Sequence, residues 1–314
     1  MRLYAYRDPT LEDEGPGWSV SGGVWVGEPF PDGLRLAPGV ALAEASDGDD
    51  RRGRRPAPAI SAPGKVVCIG LNYRDHVEEQ HIATPDRPIL FAKFANAVIA
   101  DGEPIVRPPG THALDLEVEL GVVIGRTAHR VGRGEALAHV AGYVVVNDVS
   151  ARDWQGQKAA LREGERGDGQ WLRAKGSDTF LPMGPVLVGT DEIPDPGALR
   201  LRSWRIPGSG PDAGRAVRMQ DGTTADMIFD VPALIEFVSA VITLEPGDVI
   251  ATGTPAGVGV FRHPPVFLEP GDRVRCEIDG IGSVENPIID WTDEPRLGPT
   301  GPTATTRTTE AADA

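Results

Sequence analysis

Glu117 and Glu119 stand two residues apart in Leu114-Asp-Leu-Glu-Val-Glu-Leu120, a run whose apolar members favour a strand over Leu114 to Gly125. Side chains alternate faces along a strand, so both carboxylates share one face while Leu116, Val118 and Leu120 take the other. Like charges side by side repel and call for compensation. Asp148 follows Tyr143-Val-Val-Val146, a short β-branched run, and falls where a second strand ends. Three carboxylates converging from two strands make an all-oxygen donor set suited to a hard divalent cation, Mg2+ or Mn2+, with water at the open positions. The plainer alternative is that Glu117 and Glu119 line a wet strand face and Asp148 caps a helix, because carboxylates usually face solvent.

His76 is followed three residues later by Glu79 in a helix-compatible stretch, Asn72 to Gln80. That spacing puts both side chains on one helix face, where the carboxylate can orient the imidazole as a general base toward water. A surface helix with incidental charges is the alternative. His81, His112, His129, His139 and His263 have no comparable company in the sequence. Arg152 and Gln155 lie four and seven residues beyond Asp148, on one face of a helix expected over Asp148 to Ala160. A guanidinium there can bind a carboxylate or a developing oxyanion in bidentate fashion; an intrahelical Asp148–Arg152 pair fits the spacing equally well. Lys175, beside glycine at a strand entrance, can anchor an anionic substrate, although most lysines have no such task. Thr252-Gly-Thr-Pro-Ala-Gly-Val-Gly259 follows a strand and can offer backbone N–H groups and a hydroxyl to an anion. It lacks the Gly-Lys-Ser/Thr of a phosphate loop, and Pro255 breaks a dinucleotide fingerprint. Without a Gly-x-Ser-x-Gly elbow, and with neither cysteine near catalytic partners, the sequence argues against covalent serine or cysteine chemistry.

The elements that must position these groups are short. Buried-type strands are expected at Val66 to Ile69, Ile89 to Phe94, around Tyr143 to Val146, Phe180 to Val188, Val249 to Thr252 and Val274 to Ile278. Leu199 to Met219 alternates around Pro207-Gly-Ser-Gly-Pro211 and reads as a hairpin. Val231 to Thr243 is the clearest helix, with Pro232 in its first turn and Ala233, Leu234, Phe237, Val238 and Val241 at helical spacing. Residues 1–60 read as a small N-terminal accessory module and linker, with strand-like pieces at 18–20 and 23–27 and a helix turn at Ala41 to Ser46. Residues 61–291 form the main domain, and 292–314, rich in Pro, Thr, Gly and Ala without periodicity, a disordered tail. Leu161 to Gln170, with five charged residues and three glycines, marks a mobile loop.

Of 314 residues, 39 are glycine and 29 proline, which with the short β-branched runs favours a turn-rich, mainly β architecture with some helix, α+β in class. The net charge of −15 argues against nucleic-acid binding, which needs a basic surface. Cys68 and Cys276 each sit in an apolar run and read as small core residues. No apolar stretch approaches the roughly 20 residues that span a bilayer, and charges interrupt the first residues, so no membrane association and a cytoplasmic location are expected.

In order and spacing, six segments resemble the fumarylacetoacetate hydrolase family between about Lys65 and Ile289. They are Ile69-Gly-Leu-Asn-Tyr-Arg-Asp-His76, Leu116-Glu-Val-Glu-Leu-Gly-Val-Val123, Gly142-Tyr-Val-Val-Val-Asn-Asp-Val-Ser-Ala-Arg-Asp153, Ala174-Lys-Gly-Ser-Asp-Thr-Phe180, Gly247 to Gly259 and Leu268-Glu-Pro-Gly-Asp272. The resemblance implies a mixed β-roll of largely antiparallel strands with a few short helices, a homodimer, and a bound Mg2+, Mn2+ or Ca2+. It places Glu117, Glu119 and Asp148 as metal ligands and His76 with Glu79 as the water-activating dyad on a lid helix. Arg152, Gln155, Lys175 and Thr254 fall at substrate-contacting positions, with Arg152 and Lys175 stabilising an oxyanion.

The activity implied is metal-assisted hydrolysis of a carbon–carbon bond in a β-diketo acid of acylpyruvate or fumarylpyruvate type, a small anionic keto acid. The same electron sink serves isomerisation or decarboxylation of 2-hydroxy-diene-dioates in aromatic catabolism, and hydrolysis of a diketo deoxy sugar acid, because a shared fold does not select among them. A non-catalytic binding paralogue is the remaining alternative; it would be free to lose the very side chains that are present here.

Overall fold

The computed structural model describes residues 2–7, 40–44 and 55–293. The short apolar runs form strands, and among the described residues four α-helices accompany them: α1 (Arg74–Glu79), α2 (Arg152–Gln155), α3 (Trp171–Lys175) and α4 (Val231–Ser239). The fold is therefore mainly β with a few short helices, as expected. The larger sheet runs, from one edge, through Val40–Glu44, Arg2–Arg7, Val186–Gly189, Val140–Asn147, Val118–Ile124, Val249–Ala251, Val66–Gly70 and Ile89–Lys93. Its neighbours are antiparallel except Val249–Ala251, which runs parallel to Val66–Gly70. A second sheet orders Val217–Thr223, Arg200–Ile206, Arg273–Ile278, Gly282–Asp290 and Ile105–Arg107, with the final pair parallel. Among the described residues the sheets do not close into a barrel.

Strand Val118–Ile124 is buried along its whole length and separates two cores. Val118, Leu120, Val122 and Ile124 pack on one side with Val145, Leu234 and Val238, while Val123 packs on the other with Cys68, Val144 and Ala251. Leu116 belongs to the second side, not to that of Val118 as uniform alternation predicts. The chain changes partners there. Leu114–Asp115 pairs with Ser150–Ala151, whereas Val118–Ile124 pairs with Val140–Asn147, so Leu114 to Gly125 is two strands joined by an irregular step at Leu116 and Glu117. Both cysteines are buried and free.

Other expectations shift as well. In place of the helix turn expected from Ala41, Val40–Glu44 is a strand that pairs antiparallel with Arg2–Arg7, and this ladder outweighs the helix propensity of the alanines; 45 and 46 lie outside the described residues. Arg2–Arg7 in turn pairs with Val186–Gly189, and Ala57, Ala59 and Ile60 are buried. The strand-like pieces at 18–20 and 23–27, and 294–314 of the expected tail, lie outside the described residues. In α4, Asp230 caps the first turn by accepting from the Ala233 N–H, with Pro232 beside it. The helix stops at Ser239, four residues short of the expected end, and Val241 is 79% exposed. Asp148 to Ala160 is not one helix, because Ser150–Ala151 is extended and α2 begins only at Arg152.

Gly142 sits where Val140–Asn147 meets Val186–Gly189, and a Cβ there would stand 2.3 Å from the Val188 carbonyl oxygen. Gly142→Ala is expected to destabilise the chain by at least about 2 kcal/mol, since backbone must move to admit the methyl group. Gly132→Ala, whose Cβ meets nothing within 4 Å, is expected to stay within about 0.5 kcal/mol. Paired denaturant titrations compare the two.

Candidate active site

The carboxylates of Glu117, Glu119 and Asp148 converge, each offering an oxygen within 4.8 Å of the others, and all three are buried. Glu119 lies in the central strand. Glu117 is held at the irregular step, where its N–H donates to Asn147 Oδ1 at 3.0 Å and its carbonyl accepts from the Asp148 N–H at 2.9 Å. The step thus brings Glu117 beside Asp148. Burying three carboxylates without partners would be prohibitive, and three cations compensate.

Lys175, the last residue of α3, donates to Glu117 Oε2 at 2.6 Å and to Asp148 Oδ2 at 2.8 Å. Arg152 donates through Nε to Asp115 Oδ2 at 2.9 Å and through Nη1 to Gln155 Oε1 at 3.1 Å. Its Nη2 lies 2.6 Å from Glu117 Oε1, an ion-pair contact too oblique for a good hydrogen bond. Lys93 is fully buried; its Nζ lies 2.8 Å from Asp148 Oδ1 and donates to the carbonyls of Val149, Lys175 and Phe180. Arg152 therefore pairs with Asp115 and Glu117 rather than with Asp148, because Asp148 is not on its helix. Lys175 ends a helix instead of opening a strand.

The charges are unevenly met. Burial alone would raise the pKa of Glu117, but the Lys175 and Arg152 cations hold it well below the usual carboxylate range. Glu119 goes the other way: burial, then Asp148 and Glu117, push it well above that range. Its carboxylate accepts the Gly253 N–H at 2.8 Å. Gly253 has φ +94°, and a Cβ there would stand 2.9 Å from the Asn72 Cβ, so glycine is needed for this N–H to face Glu119. Lys175 is raised: burial would lower it, but Asp148 and Glu117 outweigh that. Lys93 is lowered, mainly by burial. With Glu119 ionised, as a metal ligand must be, Asp115, Glu117, Glu119 and Asp148 outnumber Lys93, Arg152 and Lys175 by one charge among the described residues. A hard divalent cation fits this all-oxygen, under-neutralised donor set, and its charge would turn the cavity positive toward an anionic ligand.

Across the cavity, α1 presents His76. Its Nδ1 lies 2.9 Å from Glu79 Oε2, and its ring stands 5.9 Å from that of Phe261. The Thr252–Gly259 loop locks this helix in place: the Ala256 N–H donates to Asp75 at 3.1 Å and the Gly257 N–H to Glu79 at 2.9 Å. Thr254 lines the cavity, but its hydroxyl donates to the Val118 carbonyl at 2.9 Å and accepts from Gln220 at 2.7 Å. The cavity, about 70 Å³, is several times what one water needs and is lined by His76, Gln80, Glu117, Glu119, Arg152, Gln155, Lys175, Thr254, Phe91, Trp171 and Phe261, among others. All the sequence-derived site residues except Glu79 and Asp148 line it directly, and those two touch residues that do.

The family described as fumarylacetoacetate (FAA) hydrolase, C-terminal, matches residues 65–289. The chain belongs to the fumarylacetoacetate hydrolase family. It is 46% identical over 230 residues to the mitochondrial oxaloacetate tautomerase FAHD2B of Bos taurus, covering 73% of this chain and 68% of that one. A human relative, the mitochondrial oxaloacetate tautomerase FAHD2A, is 45% identical over the same shares. Among solved structures, the 5-carboxymethyl-2-hydroxymuconate delta-isomerase of Mycobacterium smegmatis superposes with a TM-score of 0.67 at 32% identity, over 92% of this chain and 99% of that one. The family's enzymes thus include tautomerases and isomerases as well as hydrolases.

Three participants escaped the sequence reading. Asp115 shares the parity of Glu117 and Glu119, so the alternation itself marked it; it accepts from Arg152 and from the N–H groups of Gly259 and Val260. Lys93 lay inside an apolar strand, and only a buried counter-charge explains a lysine there. Gln80, directly after α1, had no signal beyond its nearness to His76. His112 does have company: its ring nitrogens lie 3.2 Å from Asp153 and 3.5 Å from Glu165, outside the lining of the cavity.

Removing one carboxylate from the cradle is expected to weaken cation binding. Glu119→Gln should lower Mg2+ or Mn2+ affinity at least tenfold in calorimetric titration, as losses even beyond the ligands themselves reach 10–100-fold. Unchanged affinity would show the cation is held elsewhere.

Proposed function

We propose that the chain is a divalent-metal-dependent enzyme of small, enolisable 2-oxo dicarboxylates and interconverts their enol and keto forms, with oxaloacetate as the reference substrate. The observation that supports it is the cavity itself: a histidine–carboxylate pair faces three buried carboxylates flanked by Arg152 and Lys175. The tautomerase names of the relatives point the same way.

Glu117, Glu119 and Asp148 would hold the cation. Bound there, it supplies Lewis-acid stabilisation for negative charge developing on the 2-oxo group. Arg152 and Lys175 orient the substrate's carboxylate and offer donors to the same developing charge. His76, fixed by Glu79, stands opposite as the base. In the keto-to-enol direction the C3–H bond breaks, its proton passes to His76 Nε2, and its electron pair becomes the C2=C3 bond while the 2-oxo oxygen takes a proton from solvent. The reverse direction returns the proton from Nε2 to C3. The aromatic walls of Phe91, Trp171 and Phe261 limit water in the site.

A second reading rests on the isomerases of similar structure, including the 2-hydroxyhepta-2,4-diene-1,7-dioate isomerase of Mycobacterium marinum. Proton transfer along a dienol uses the same base and the same electron sink. Carbon–carbon hydrolysis of an acylpyruvate additionally needs a water on the histidine.

With Mg2+ present, the purified chain is expected to accelerate loss of the enol absorbance of oxaloacetate, and EDTA to abolish the acceleration. His76→Asn should lower kcat/KM by about 10²–10⁴-fold. Turnover of 2-hydroxyhepta-2,4-diene-1,7-dioate or an acylpyruvate in place of oxaloacetate would overturn the assignment in favour of that substrate.

A further inference from the structure

Gln80 follows α1 directly and lines the cavity. Its carboxamide nitrogen lies 2.9 Å from His76 Nε2, while His76 Nδ1 lies 2.9 Å from Glu79 Oε2. An ionised Glu79 only accepts, so the proton of the neutral imidazole sits on Nδ1. Nε2 then carries the lone pair, and Gln80 is the donor to it. The one nitrogen free to take a proton is capped by a side chain anchored on the next residue but three.

This contact bears on the choice of reaction. In hydrolysis a water must donate to Nε2, its oxygen must bond to the acyl carbon, the C–C bond must break with its pair passing to the departing enolate, and His76 must return the proton to the enolate carbon that held the acyl group. A water must compete for Nε2 with the tethered carboxamide, which already makes an equivalent hydrogen bond without loss of translational freedom. A 2-oxo dicarboxylate differs, because contacts at its far end anchor it and can drive the carboxamide aside as C3 reaches Nε2. Once Nε2 is protonated, the carboxamide can turn and present its oxygen instead.

We propose that Gln80 is a positioning residue that selects proton transfer over hydrolysis by occupying the place on His76 Nε2 that an attacking water needs. This rests on the tautomerase reading above.

The experiment compares the wild-type chain, Gln80→Ala and Gln80→Glu in the same Mg2+ buffer, on enol oxaloacetate for tautomerisation and on acetylpyruvate for hydrolysis. Gln80→Ala is expected to raise the ratio of hydrolysis to tautomerisation, by kcat, at least tenfold. Gln80→Glu preserves size but offers only acceptors, which keeps Nε2 protonated, and should lower tautomerisation at least tenfold. A metal-free readout is the 15N spectrum of the imidazole: the His76 Nε2 resonance should move in Gln80→Ala while Nδ1 stays protonated. A ratio within twofold of wild type in a folded Gln80→Ala overturns the proposal, as does wild-type tautomerisation by Gln80→Glu should the alanine variant fail to fold. A wild type that turns over no 2-oxo dicarboxylate sinks the tautomerase reading as well, whereas normal wild-type turnover with an unmoved ratio sinks this inference alone.

Discussion

Burying several carboxylates together is the constraint on which the rest of this structure depends. Each ion withdrawn from water costs several kcal/mol unless a partner replaces its solvation. Glu117, Glu119, Asp148 and Asp115 are all inside, at the seam between the central strands and the short helices. Their partners come from far along the chain: Lys93 from an edge strand, Arg152 from the start of α2, Lys175 from the end of α3, and a backbone N–H from Gly253. α2 and α3, of 4 and 5 residues, each deliver one terminal cation to the cluster.

The uneven result is where function enters. Glu117 is over-compensated and stays ionised, while Glu119, left with like charges around it, is driven toward its protonated form. An apolar replacement would relieve that strain, yet the chain retains three buried carboxylates at one point. A divalent cation would resolve the imbalance and leave the cavity positive, the sign that favours an anionic ligand.

The opposite wall obeys a different logic. α1 is only 6 residues long and has no side-chain N-cap, so little in its own sequence holds it. Its fixed points are external: Asp75 and Glu79 accept backbone N–H groups from the Thr252–Gly259 loop, and Asn72 bridges the carbonyls of Thr252 and Phe229. The loop that resembled an anion cradle spends its N–H groups on the protein's own carboxylates. By holding Asp75 and Glu79, it sets the position of His76 between them.

Much of this was legible in the order of residues. The interval of two marked Glu117 and Glu119 as a pair, the interval of three put Glu79 beside His76, and β-branched runs separated by glycine and proline announced a mainly β fold. These features depend on neighbours within a few positions, where backbone geometry alone decides. The partners of Arg152, the burial of Lys93, the break at Leu116 and Glu117 and the pairing of Val40–Glu44 depend on residues tens to hundreds of positions away. Spacing along the chain offered Asp148 as the mate of Arg152. The structure chose Asp115 and Glu117, because a two-residue strand at Ser150–Ala151 turns Asp148 toward Lys93 and Lys175 before the helix begins. Local sequence determined which chemical groups were present and which faced the same way; only tertiary packing decided which charges would meet, because electrostatic compensation in a dry interior is settled by distance in space.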